Sequence, residues 1–252
     1  MRALAVVVVA ACGRTGFDAR SDATPRDAPP DGLPAGLVAW YPMDTFDGTT
    51  LVDATGNGHG ASCTPPACPT LVTPGRVGNA LAFDGVDDHL VVDGPASVFG
   101  SPFTVAWWES ITGTLASSQC PMSKVYGTTT DNSWQLVTSD ATNQPGATLD
   151  YITAGQTPSS FTGMEPATFD SSAWHHVAMT WDGTNRVLWV DGALLGGDAP
   201  SGAAQFDDGP IVIGADIDDG TMLECPLSGR LDDLRIYDRA LDASEIHVLA
   251  MP

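Results

Sequence analysis

Glu109 closes the run Phe103-Thr-Val-Ala-Trp-Trp-Glu109, a carboxyl group next to two indoles. Glycosidases set an acid among aromatic side chains, but they need a second carboxylate about 5–10 Å away. The only Glu residues are Glu109, Glu165, Glu224 and Glu245, and none is spaced to share a strand face with another. Glu109 therefore reads first as structural. His175 and His176 are adjacent and could serve as a base or as metal ligands. Side chains alternate along a strand, so only one of the two can face inward, and a packing role is favoured. Asp216-Ile-Asp-Asp-Gly-Thr221 starts like a calcium loop but lacks the later Glu of an EF-hand. It reads as a solvated turn. The chain has no Gly-x-Ser-x-Gly motif, so serine hydrolase chemistry has no foothold.

The N-terminus carries chemistry of another kind. Met-Arg-Ala-Leu-Ala-Val-Val-Val-Val-Ala-Ala-Cys12 has one positive charge, a short apolar run and small residues before a cysteine. The run is too short to cross a bilayer, which takes about 20 residues. Val9-Ala10-Ala11-Cys12 resembles the bacterial lipobox. The resemblance implies cleavage before Cys12 and lipid attachment to it, with an ordinary secretory signal as the alternative. Several acyl chains on one cysteine give a firm anchor. Gly13, rather than Asp, after the cysteine points toward an outer membrane. From Gly13 to Ala35 the chain has four Asp, four Pro and almost no apolar residues, so it reads as a disordered tether. The expected organisation is a lipoprotein signal peptide over 1–11, a tether over 12–35 and one folded domain over 36–252.

The chain carries 31 acidic against 10 basic residues, a net charge of −21. Such acidity argues against nucleic acid or anionic lipid as a direct partner. An excess of Asp suits cation binding, although turns and solvation explain most of it. Beyond Cys12 four cysteines remain, Cys63, Cys68, Cys120 and Cys225. An even number in an exported chain favours disulfides. Cys63–Cys68 would close a small proline-stiffened loop and Cys120–Cys225 would bridge distant segments. Crossed pairings stay open, and zinc is the weaker reading because no Cys-x-x-Cys pair is present.

The elements that must position these residues are strands. Trp174-His-His-Val-Ala-Met-Thr-Trp-Asp-Gly-Thr-Asn-Arg-Val-Leu-Trp-Val-Asp191 places two apolar, β-branched and aromatic runs around an Asp-Gly turn, a strong hairpin signal. Alternation puts Val177, Met179 and Trp181 on one face, with Leu188 and Val190 on one face of the return strand. Phe103, Val105 and Trp107 share a face in the same way. Strands are also expected over 37–44, around Asp84-Gly85, at 133–138, 148–153 and 211–214, and over 230–237. In that last strand Asp232 is expected to share a face with Leu234 and Ile236. A short closing helix is expected over 242–250, capped by Asp242. About a dozen strands punctuated by turns make an all-β sandwich.

Taken in order, Leu37–Asp44, Asp53–Gly60, Gly78–Val92, Phe103–Trp108, Trp174–Gly192 and Gly229–Ile246 resemble the laminin-G-like (LamGL) jelly-roll domain of the concanavalin A-like lectin/glucanase superfamily. The resemblance implies an all-β fold, two antiparallel sheets packed as a jelly-roll sandwich, with a short C-terminal helix. It implies no single activity, because both binders and enzymes use this fold. Laminarinase-like relatives carry a Glu-x-Asp-x-x-Glu strand that is absent here. Related sandwiches hold calcium between the first-strand loops and the last strand. Carried onto this chain, that suggests Asp44, Asn57 with carbonyls near His59, and Asp232 as Ca2+ ligands, with Asp53 behind them. A buried Asp232 would need a cationic partner; the alternative is a carboxylate that caps loop amides.

The leading expectation is a non-catalytic, envelope-anchored recognition module. It would bind a glycan or a protein with calcium support, and Trp108, Trp134 and Tyr151 are candidate stacking residues. A glycoside hydrolase on the same fold and a passive structural envelope lipoprotein are the alternatives.

Overall fold

The computed structural model describes residues 32–112, 118–127, 131–139, 146–152, 158–162, 170, 172–200, 204–218 and 220–251. Cys12, the expected signal peptide and most of the expected tether lie outside them, as does the side chain of Tyr151. Eighteen strands and two short helices follow one another: β1 (Leu37–Tyr41), β2 (Thr50–Leu51), β3 (Ala61–Ser62), β4 (Thr70–Val72), β5 (Ala80–Asp84), β6 (Leu90–Val92), α1 (Ala96–Phe99), β7 (Phe103–Ile111), β8 (Gln119–Tyr126), β9 (Asp131–Ser139), β10 (Gly146–Ile152), β11 (Pro158–Thr162), β12 (His175–Trp181), β13 (Arg186–Val190), β14 (Ala193–Asp198), β15 (Ile211–Ile213), β16 (Asp216–Asp218), β17 (Met222–Glu224), β18 (Ser228–Tyr237) and α2 (Ala243–Leu249). The strands outnumber the expected dozen because several loops pair over only two or three residues.

They form two large antiparallel sheets. The first runs β14-β13-β12-β7-β18-β5-β4, with β1 also paired to β18; the second runs β11-β10-β9-β8-β15-β6-β3-β2. The hairpin of β12 and β13 forms as its Asp-Gly turn requires. Gly183 takes a positive φ, and the Asp182 carboxylate accepts the Thr184 and Asn185 amides at 2.7 and 2.6 Å. Between the sheets, Val105, Trp107, Met179, Trp181, Leu188, Met122, Trp134 and Leu136 interdigitate in one apolar core. Burial of this much indole and branched-chain surface is the main stabilising contribution.

Part of the outer face of the first sheet is covered by α2, whose Ile246 and Leu249 pack on Ala106, Ala178 and Tyr237. Asp242 caps this helix in a capping box with Glu245. The chain just ahead of β1 joins this contact. Leu33 packs against it, and the Ala35 carbonyl accepts Arg239 Nε at 2.9 Å, so ordered structure starts inside the segment expected to be tether. The outer face of the second sheet is covered by the β16–β17 hairpin, with Ile217 and Leu223 on Val125, Val212 and Ala215. Asp216 and Asp218, expected in a solvated turn, are buried there. Asp216 Oδ2 accepts the Asn132 and Gln135 side-chain amides, both at 2.7 Å, and this anchors the hairpin.

The disulfides are Cys63–Cys68 and Cys120–Cys225. Lys124, the single lysine of the chain, is fully buried. Its ammonium donates to the carbonyls of Gly94 (2.7 Å), Asp207 (3.0 Å) and Gly209 (2.6 Å) and so ties two loops to β8. Burial lowers its pKa to about 8, against the pull of Asp207 and Asp208.

Candidate functional site

The alternation expected in β18 is broken. Asp233 takes φ 50°, and the register with β7 shifts between Asp232 and Arg235, a bulge that inserts an extra residue. Leu231, Leu234 and Ile236 therefore face the core. Asp232, expected to share their face, points to the opposite one and sits next to Trp108 in register. There it is completely buried. Its Oδ2 accepts the amides of Arg76 and Val77 at 2.7 and 2.8 Å, while Oδ1 has no hydrogen-bond partner. Burial raises the Asp232 pKa to about 7; the two amides resist this, and the carboxylates of Asp233 and Asp44 add to it.

Asp44 lies on the other side of the same loop. Its Oδ1 accepts the Asn79 amide at 2.9 Å and its carbonyl accepts Asn79 Nδ2 at 2.8 Å. The loop between the two acids has no room for extra side chains. A Cβ at Gly78, where φ is +66°, would collide with Asp44 Oδ1, and one at Gly75 would press on Asp232 Oδ2. Asp233 is engaged by Trp40 Nε1 and by Arg235 Nη2, each at 2.7 Å.

Asn57 and His59 belong to a second group, organised by Asp53. Asp53 accepts the amides of Trp40 (3.1 Å), Thr55 (3.0 Å) and His59 (3.2 Å) as well as Thr55 Oγ1. Burial opposes ionisation of Asp53, but these hydrogen bonds outweigh it and hold the carboxyl below its usual range. Asn57 Nδ2 donates to the Val38 carbonyl at 2.9 Å, and Tyr41 Oη donates to the His59 carbonyl. The four expected calcium ligands thus divide into Asp44 with Asp232 around the 75–79 loop, and Asn57 with His59 around Asp53.

The sequence reading passed over a third acidic group. Asp84, Asp87 and Asp88 bring carboxylate oxygens within 4.8 Å of one another. The spacing Asp84-Gly-Val-Asp-Asp88 was its signal. Its oxygens already serve the turn: Asp84 Oδ1 accepts Val86 N and Asp88 Oδ2 accepts Asp84 N. The rim next to Asp44 also carries two shallow clefts. One, of about 250 Å³, is lined by Thr45, Phe46, Asp47, Thr50 and Val52, and the other, of about 160 Å³, runs from Pro42 to Ala54.

The residues that could have supported catalysis are engaged in packing and internal hydrogen bonds. Glu109 sits inside the sandwich, accepting Trp107 Nε1 at 2.9 Å and Thr138 Oγ1 at 3.4 Å. Burial pushes its pKa up to about 7 against those hydrogen bonds. His175 contacts Asp191 and the Asp170 carbonyl, while His176 is buried against Trp108. The two histidines diverge. Trp134 stacks on Phe103 in the core and is buried.

A family model described as the concanavalin A-like lectin/glucanases superfamily (Laminin_G_3) matches residues 84–247. No curated protein sequence matches the chain. Among solved structures, the binding domain of Paraclostridial Mosquitocidal Protein 1 superposes with a TM-score of 0.66 at 16% identity, over 85% of this chain and 52% of that one. The receptor-binding domain of botulinum neurotoxin type G gives 0.63 at 12% identity, over 85% and 51%. Domain 4 of AbnA, a GH43 extracellular arabinanase from Geobacillus stearothermophilus in complex with arabinotriose, gives 0.62 at 16% identity, over 85% and 98%. The chain spans about half the length of the two toxin domains. These likenesses establish a common sandwich, and the proteins that share it here are named as binding domains or bind a saccharide.

Proposed function

Because the chain belongs to the concanavalin A-like lectin/glucanases superfamily, we propose that its folded region is a non-catalytic recognition module. Its ligand is a glycan, with a protein as the other possible class, and a lipid on Cys12 holds it to the cell envelope. The observation that supports this reading best is the position of Glu109. A glycosidase presents two carboxyl groups to a bond lying in a cleft. Here Glu109 is enclosed between the sheets by Trp107 and Thr138. Of the other described Glu residues, Glu224 is exposed on a peripheral hairpin, and Glu245 is committed to Arg239 and the α2 cap. The two disulfides agree with an exported chain.

Calcium fits the Asp44–Asp232 group. Asp232, with a buried oxygen that has no partner, and Asp44, on the other side of a tight glycine loop, are hard donors whose mutual repulsion a divalent cation would relieve. Asp44 and Asp232 would hold the ion. Asn57 and His59 would enter only through the Asn57 side-chain oxygen, whose Nδ2 is held by the Val38 carbonyl, and through the second lone pair of the His59 carbonyl, which already accepts Tyr41 Oη. Bound there, calcium would fix the 75–79 loop and the neighbouring rim. The test is a glycan array, paired with a pull-down from envelope extracts, on folded calcium-loaded protein. Saturable binding to a saccharide or a single protein is expected. A blank result in both, or β-glucan hydrolysis lost on Glu109→Gln, would sink the reading.

A further inference from the structure

In a chain with 31 acidic and 10 basic residues, every cation should find a carboxylate. Arg186, Arg235 and Arg239 do so, pairing with Asp198, Asp233 and Glu245. Arg76 and Arg230 form no ion pair with a described carboxylate. Each guanidinium instead lies over an indole: Arg76 is 4.3 Å from the Trp108 ring centroid and Arg230 is 5.1 Å from that of Trp174.

Both stacks are on the outer face of the first sheet. Trp108 lies between His176 and Asp232 in register. Two residues further along β7, Ser110 is next to Arg230 and accepts its Nη2 at 3.2 Å. The two rows are thus one strand repeat apart, about 7 Å. A guanidinium held over an indole keeps N–H donors that the ring does not satisfy, in the fork that matches a carboxylate or sulfate.

Two further polar atoms are buried next to this pair without a partner, Trp108 Nε1 and His176 Nδ1. The rings that carry them meet edge to face at 5.4 Å. Burial, helped by Arg235, pushes the His176 pKa down to about 3, so the ring is neutral. The carboxylates of this face are engaged by other donors, except for the buried Oδ1 of Asp232. Asp232 Oδ2 takes the Arg76 and Val77 amides, Asp191 takes His175 Nδ1 and the His176 amide, and Asp233 takes Arg235. Asp232 Oδ1, Trp108 Nε1 and His176 Nδ1 are buried, so the charged groups this face presents outward are the guanidiniums of Arg76 and Arg230, the latter with one nitrogen on Ser110.

We infer that Arg76 and Arg230, with the half-buried Trp174 as an apolar platform, form a site for an acidic saccharide whose sugars carry carboxylate or sulfate groups. The inference rests on the recognition reading above and adds the class of ligand. The guanidinium N–H groups would pair with the oxyanions, and the part of the Trp174 indole not covered by Arg230 would meet the ring carbons of the sugar. An anionic bilayer is the poorer occupant, because the net charge of −21 repels such a surface at longer range.

The test is calorimetry on the full-length protein in neutral detergent, with a galacturonate hexasaccharide, a heparin-derived hexasaccharide and a neutral galactan hexasaccharide as probes. At least one acidic probe should bind, at least tenfold more tightly than the neutral one. Arg76→Gln and Arg230→Gln should each weaken it about tenfold, and Arg230→Lys should restore only part. Thermal unfolding serves as the control. Should Arg76→Gln fail to fold, the Arg230 variants carry the test, since that side chain is partly exposed. Equal binding of the neutral probe, untouched by the variants, would overturn the inference and leave glycan recognition standing. Binding only to phosphatidylserine vesicles, or to none of these probes, would overturn it as well. Only a blank broad glycan array and pull-down would overturn recognition too.

Discussion

Trp107 Nε1 donates to Glu109 Oε2 at 2.9 Å from two positions back along the same strand face, deep between the two sheets. The indole offers one hydrogen bond to a carboxyl that burial has raised from 4.5 to about 7. An acid with a raised folded pKa binds its proton more tightly when folded than unfolded. The Glu109 contribution to stability is therefore greatest below about pH 4.5, and it is lost as the pH rises through about 7. The change from 4.5 to about 7 corresponds to roughly 3 kcal/mol as an upper figure. Glu109→Gln should flatten this pH dependence and raise the denaturation midpoint at pH 8, as read by urea titrations at pH 5, 6.5 and 8. An unchanged pH profile would refute this account.

Asp232→Asn separates the metal proposal from simple loop capping. In EDTA the variant should be as stable as the parent or more so, because it removes a buried charge with an unpaired oxygen. Calcium at a hundredfold excess over its dissociation constant should stabilise the parent by about 2.7 kcal/mol, and the variant by little. Scanning calorimetry with and without calcium reads both. A parent indifferent to calcium counts against the metal site.

The two disulfides should contribute unequally. Cys120–Cys225 closes a separation of 105 residues and Cys63–Cys68 one of 5. On loop entropy the long one is worth about 4.7 kcal/mol and the short one roughly 2. Cys120→Ala with Cys225→Ala should lower the denaturation free energy about twice as much as the pair Cys63→Ala with Cys68→Ala.

Cys12→Ala tests the anchor. With a lipid on Cys12, the parent should partition into the membrane fraction and carry a diacylglycerol mass increment on its N-terminal peptide. The variant should lack the increment and appear in the soluble exported fraction. Equal fractionation of the two would exclude the lipid.

Much of the architecture was legible in the residues. The Asp182-Gly183 turn, the alternation of Phe103, Val105 and Trp107 and the Asp242 cap are local signals, and each is realised where the chain placed it. The bulge at Asp233 was not legible. A single residue at positive φ leaves no pattern in Arg230-Leu-Asp-Asp-Leu-Arg-Ile-Tyr237 beyond the doubled Asp, yet it moves Asp232 to the other face. The division of Asp44 and Asp232 from Asn57 and His59 was hidden for a related reason: it depends on which loop folds over which edge. The Arg76–Trp108 stack joins segments with no sequence relationship and could be found only in three dimensions.

Lys124 carries the only lysine amine in the chain, and the fold seals it beneath three carbonyls. The native domain thus offers no lysine side chain to acylating reagents, glycation or lysine-directed proteases. Labelling at that one position becomes a readout of opening, which reports how often β8 parts from the loops it holds.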